Sequence, residues 1–117
     1  MSVPVITWFN DQFVPSRGPE ERRHPDISPL YADLSGMPPA RFVVGTEDPL
    51  LDDSLLMAAR WRSAGNPAVL EVVAEAVHGF IAYPIAVAQQ ELARQFAYVA
   101  TAVRDEASGE FPIADRR

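Results

Sequence analysis

Arg41-Phe-Val-Val-Gly-Thr46 is a short apolar run that follows Pro38-Pro39 and leads into Glu47-Asp48. Its β-branched and aromatic content favours a buried strand. Asp52 or Asp53 can cap a helix over residues 54–64, with Leu55, Leu56, Ala59 and Trp61 on its apolar side and Gly65-Asn66-Pro67 as its stop. A second strand is expected over 68–73. A longer helix is expected over 84–103, where Ile85, Ala88, Leu92, Phe96, Val99 and Val103 recur at spacings of three and four. Strand, helix, strand and helix, with connections too long for a hairpin, predict a parallel βαβ unit and an α/β fold. Two strands make a narrow sheet with two open edges, so the pattern reads as the end of a larger sheet, completed by self-association or a partner chain.

Upstream, residues 5–14 place apolar side chains at 5, 6, 8, 9, 13 and 14, which suits a short amphipathic helix ending at Pro15. Residues 15–40 carry six prolines and should be mostly irregular, with room for one helical turn at 30–34. Downstream of the long helix, residues 104–117 hold few apolar side chains and are expected to form a mobile tail. The domain reading is thus a partial α/β unit over 1–103 followed by that tail.

Composition narrows the function. The net charge of -6 argues against nucleic acid or an anionic membrane as partner, since phosphate binding needs clustered positive charge. The chain has no cysteine, which removes disulfides, thiolate metal sites and cysteine nucleophiles. Without a signal-peptide pattern at Met1 or an apolar run of membrane-spanning length, a cytoplasmic location is expected.

In a parallel α/β sheet, chemistry gathers at the carboxyl ends of the strands. Asp48 follows the first strand and His78 the second, 30 residues apart, the span of one βαβ unit. Adjacent strands would set the two loops side by side, where the carboxylate can fix the imidazole tautomer and stabilise its protonated form. The spacings of His24 and Asp26, and of Glu75 and His78, match no standard metal site, and no phosphate-cradling glycine loop is present, so neither metal nor cofactor is expected.

From Asp26 to Phe80 the chain resembles the C-terminal part of the hormone-sensitive-lipase-like esterases, a branch of the α/β-hydrolase superfamily. The matching pieces are Asp26-Ile-Ser-Pro-Leu-Tyr-Ala-Asp-Leu-Ser-Gly-Met-Pro-Pro-Ala40, Val43-Val-Gly-Thr-Glu-Asp-Pro-Leu-Leu-Asp-Asp53, Ala58-Ala-Arg-Trp61 with Ala64-Gly-Asn66, and His78-Gly-Phe80, in that order. The resemblance implies that Asp48 is the acid and His78 the base of a catalytic triad. It also implies association through the last strand and C-terminal helix, so that a homodimer is one expected assembly and a complex with a complementary N-terminal hydrolase fragment another.

The same resemblance places the nucleophilic serine upstream of the acid, in a GxSxG elbow. None of the seven serines, Ser2, Ser16, Ser28, Ser35, Ser54, Ser63 and Ser108, has glycines two before and two after, and there is no HGGG-type oxyanion loop. Ser28, Ser35 and Ser54 are read as loop or cap residues. The chain is therefore expected to carry two triad members of an ester hydrolase and to be inactive alone, accepting a short-chain ester only when complemented. The alternative is a noncatalytic α/β scaffold that self-associates through its strand edges.

Overall fold

A computed structural model of the protein describes residues 2–108. Its elements are α1 (Val3–Phe13), β1 (Ala40–Glu47), α2 (Leu51–Ser63), β2 (Ala68–Val77) and α3 (Ala86–Ser108), with 3₁₀ turns at Glu21–Arg23, Pro29–Tyr31 and Phe80–Ala82. The expected order of strands and helices is present, and each element is longer than its sequence pattern. Helix α1 starts at Val3 because Pro4 sits in its first turn, where no intrahelical N–H is needed. Helix α2 starts at Leu51, with Leu50 at the cap position and no side-chain cap. Asp52 and Asp53 are therefore not caps; they lie in the first turn, where negative charge meets the positive end of the helix dipole.

The tail expected from residue 104 is contradicted over residues 104–108. Residues 104–108 continue α3, with the Arg104 guanidinium donating back to the Ala100 carbonyl at 3.2 Å and to the Thr101 hydroxyl at 3.3 Å. No glycine or proline interrupts this stretch, so nothing stops the helix. The remainder of that expectation, residues 109–117, lies outside the described residues.

Strands β1 and β2 pair in parallel, Ala40 opposite Ala68 through Gly45 opposite Val73, with a register shift before Glu47 pairs with Val77. The two helices that follow them take opposite faces. Phe42 meets the α2 residue Trp61 edge to face at 5.8 Å between ring centroids, whereas Arg41 on the other face reaches Glu91 of α3. Buried apolar residues gather here, Val44 and Ala58 on one side and Ala76, Phe80 and Ala88 on the other, the latter packed against Val43 and Val73; Leu34 of the proline-rich segment is buried as well.

The expected apolar lines are only partly buried. Leu55, Leu56 and Ala59 of α2 are exposed and Trp61 is half-buried; the covered apolar positions are Ala58 and, in part, Leu51 and Met57. Along α3 only Ala88 of the predicted stripe is buried, while Phe96, Val99 and Val103 stay 68%, 57% and 60% exposed. The described residues form a slab of 45 × 42 × 20 Å with a radius of gyration of 16.3 Å, wider than the roughly 13 Å of a closed globule of this length. A two-stranded sheet has too little surface to cover both helices.

The proline-rich segment between α1 and β1 is tied down by side chains. Arg60, Trp61 and Asn66 donate to the carbonyls of Ala32, Pro38 and Leu34 at 2.9, 3.0 and 2.6 Å. Asn66 is buried, so its amide needs such a partner. Arg22 holds the segment to α1 through Asp11 at 2.6 Å.

Candidate active site

The parallel pairing opens both strand ends on one edge of the sheet. Asp48 is the first residue after β1, and its amide donates to the Gly45 carbonyl at 3.2 Å, turning the chain out of the strand. Its Oδ1 accepts the Leu50 N–H at 2.8 Å, so the acid is fixed from the side of α2. His78 is the first residue after β2, closer to the strand than its expected end at residue 73 implied. Gly79 follows with φ of +71°, a left-handed conformation that glycine adopts without steric cost, and turns the chain so that Phe80 buries beneath the imidazole loop.

The two predicted residues meet. His78 Nδ1 lies 3.1 Å from Asp48 Oδ1 and 3.0 Å from Oδ2. A carboxylate can only accept, so Nδ1 carries the hydrogen and Nε2 is the ring's acceptor. The Asp48 side chain is 8% exposed and that of His78 32%, a shielded acid behind an accessible base. A cavity of about 160 Å³ adjoins the pair, lined by Val43, Val44, Gly79, Phe80, Ile81 and Gln95 as well. An accessible imidazole oriented by a carboxylate can take a proton from a hydroxyl and return it to a leaving group.

Among the described residues no serine hydroxyl bonds to His78. Ser35 donates to Asp33 at 2.7 Å within its own loop, and Ser54 sits in the first turns of α2. The second histidine, His24, is exposed, and its ring accepts from the Asp26 amide at 3.3 Å. A larger cavity of about 660 Å³ lies between α1, the proline-rich segment and the start of α2, lined by Ile6, Phe9, Ile27, Leu30, Leu50 and Met57 among others. Neither Asp48 nor His78 lines it, although Leu50, whose amide the acid accepts, forms part of its wall.

Sequence reasoning missed a charged cluster toward the amino-terminal ends of the strands, away from the Asp48–His78 pair. Arg41 of β1 donates to Glu71 of β2 at 2.9 Å and to Glu91 of α3, and Arg94 of α3 reaches Glu71 at 2.7 Å. The hydrogen bond to Glu91 is the main cause that holds the Arg41 guanidinium above its ordinary value, against its burial. Two features could have flagged it: an arginine inside an apolar strand run, and a glutamate three residues after the buried Ala88.

A family model described as alpha/beta hydrolase fold matches residues 1–82. Hormone-sensitive lipase of Homo sapiens is 42% identical over 62 residues, which cover 50% of this chain and 6% of the lipase. The carboxylic ester hydrolase LipN of Mycobacterium tuberculosis is 35% identical over 77 residues, or 65% of this chain and 20% of LipN. The solved structure of a thermophilic and thermostable carboxylesterase cloned from a metagenomic library matches with a TM-score of 0.80 at 32% identity, over 87% of this chain and 35% of that one. That of a hyperthermophilic esterase from the archaeon Pyrobaculum calidifontis matches with a TM-score of 0.80 at 26% identity, over 88% of this chain and 34% of the esterase. The chain thus spans about a third or less of the length of these relatives. Among the described residues no helix is long and apolar enough to cross a membrane.

Proposed function

The chain belongs to the α/β-hydrolase fold family, and on that premise we propose that it supplies the acid and base of a carboxylic-ester hydrolase. The carrying observation is the Asp48–His78 contact at 3.0 Å on adjacent strand ends. His78 Nε2 takes the proton of a serine hydroxyl as that oxygen attacks the ester carbonyl, and returns it to the departing alcohol. Asp48 holds the ring through Nδ1 and stabilises the imidazolium. The serine and the oxyanion donors come from outside these 117 residues, supplied by a complementary N-terminal hydrolase fragment in the cytoplasm.

By itself the chain is inactive in this reading. In a serine hydrolase, loss of the nucleophile alone costs on the order of a million-fold in turnover, and the oxyanion hole is a large electrostatic contribution besides. The test is hydrolysis of a short-chain nitrophenyl ester by the purified chain, with and without an N-terminal fragment carrying GxSxG and HGGG. Activity only in the mixture is expected. Turnover by the chain alone, or none at saturating fragment, would overturn the proposal.

A second reading, a noncatalytic scaffold that self-associates, is favoured by the exposed line of Phe96, Val99 and Val103 on α3 and by the open sheet edges. A homodimer through β2 and α3 would cover the α3 line and the β2 edge, and is compatible with either reading.

A further inference from the structure

The alignment of Asp48 with His78 depends on an irregularity in β2. Partners are 28 residues apart from Ala40 and Ala68 through Gly45 and Val73, but 30 apart at Glu47 and Val77. Two residues of β2 are therefore taken up in a bulge. Had the first register continued, His78 would stand opposite Leu50 and Ala76 opposite Asp48. Two residues correspond to roughly 6.6 Å along a parallel strand, which would carry the imidazole out of reach of the carboxylate. Through the bulge Ala76 comes to the same face as Val73, where both pack toward Phe80 and Ala88.

The bulge has identifiable supports. Glu75, an exposed non-glycine residue, adopts φ of +58°, and its N–H, turned off the ladder, donates to the Thr46 hydroxyl at 2.8 Å. The displaced backbone at Ala76 presses on Gly45: a Cβ there would lie 1.8 Å from the Ala76 carbonyl oxygen and 2.4 Å from its carbon. Only glycine leaves room for that approach. Bulges near active sites re-aim side chains in this way.

We infer that Thr46 and Gly45 are positioning residues for the acid–base pair: the Thr46 hydroxyl clamps the Glu75 amide, Gly45 admits the Ala76 carbonyl, and together they bring His78 abreast of Asp48. The catalytic meaning of this arrangement rests on the reading of His78 as general base. The arrangement itself does not, and its test does not use ester hydrolysis.

The experiment is ¹⁵N long-range correlation NMR of the His78 ring in the full chain, which distinguishes the Nδ1–H from the Nε2–H tautomer. The unmodified chain and Thr46→Ser, which keeps the hydroxyl, should show Nδ1–H. Thr46→Val should lose at least half of that form while its remaining amide spectrum stays dispersed. A Thr46→Val chain that keeps the wild-type tautomer, or a Thr46→Ser chain that loses it, would overturn the inference. A measurement on the unmodified chain covers the case in which Thr46→Val fails to fold. The Glu75 amide should exchange with solvent at least tenfold more slowly than in an unstructured peptide, and exchange at the unprotected rate would equally overturn the inference.

Discussion

Arg41 on β1 donates to Glu91 on α3 across one face of the sheet, and the Glu91 side chain is only 1% exposed. Its second oxygen makes no hydrogen bond and has Arg94 as an ion partner at 3.6 Å. Removing one member of such a pair strands the other charge in a dry environment, whereas replacing both with apolar residues removes the desolvation cost.

Arg41→Met leaves the buried Glu91 with only Arg94 at 3.6 Å and is therefore expected to destabilise the chain by about 3 kcal/mol. The double change Arg41→Met with Glu91→Leu should recover most of that loss, since Glu71 retains Arg94. Urea unfolding of the two variants checks this; equal losses would show that the pair is not desolvated as the geometry requires.

Asp48→Asn should separate orientation from folding. The amide oxygen can still accept the Leu50 N–H, so stability should change by less than about 1 kcal/mol. In the complemented enzyme, turnover should fall by on the order of 10³ to 10⁴, because the ring loses its tautomer partner. KM should hold, and a variant that retains turnover would remove Asp48 from the triad.

Glu75→Gly should leave the site intact and stabilise the chain by up to about 1 kcal/mol. A non-glycine residue in the left-handed region is strained, and glycine's looser unfolded state offsets part of the relief. Gly45→Ala should do the opposite and cost about 3 kcal/mol or prevent folding, as the added carbon meets backbone rather than a yielding side chain. Thermal unfolding of both variants tests the signs together.

Acid dependence has a local source in Asp33. Hydrogen bonds from the Ser35 hydroxyl, then from its amide, hold the Asp33 carboxyl below the ordinary aspartate range. The folded value is depressed, so the contribution is complete above about pH 3.9 and fades as pH falls through the lower folded value. Asp33→Asn should lower the neutral plateau slightly, where the ionised carboxylate contributes, and flatten the acid limb of the stability profile below that pH. An unchanged limb in a urea titration would count against the assignment.

Phe96→Glu should lower any self-association of the chain, since it puts a charge in the middle of the exposed α3 line. Light scattering across a concentration series reads this directly; unchanged mass from an oligomeric parent would move the interface elsewhere.

The strands and the meeting of Asp48 with His78 were legible because their signals are local: β-branched runs, and one carboxylate and one histidine at the ends of them. Strand ends were less so. β2 runs on past residue 73 through Ala74 and Glu75, where a charged residue in a left-handed conformation breaks the alternation that marks a strand. The start of α2 was misplaced because the Leu50 amide is satisfied by Asp48, whose sequence role as a site acid hid its role in the turn. The α3 stripe was visible as a pattern, but periodicity records which side chains want cover and not whether this chain supplies it.

The bonds that fix residues 32–38 of the proline-rich segment to α2 and the turn after it end on carbonyl oxygens, at Ala32, Leu34 and Pro38, while their donors are Arg60, Trp61 and Asn66. Every residue type offers a carbonyl, so the side chains at the accepting positions can drift without breaking the attachment. The path of the segment is thus encoded some 23 to 32 positions downstream of itself, and three substitutions around the end of α2 would release a loop whose own sequence had not changed.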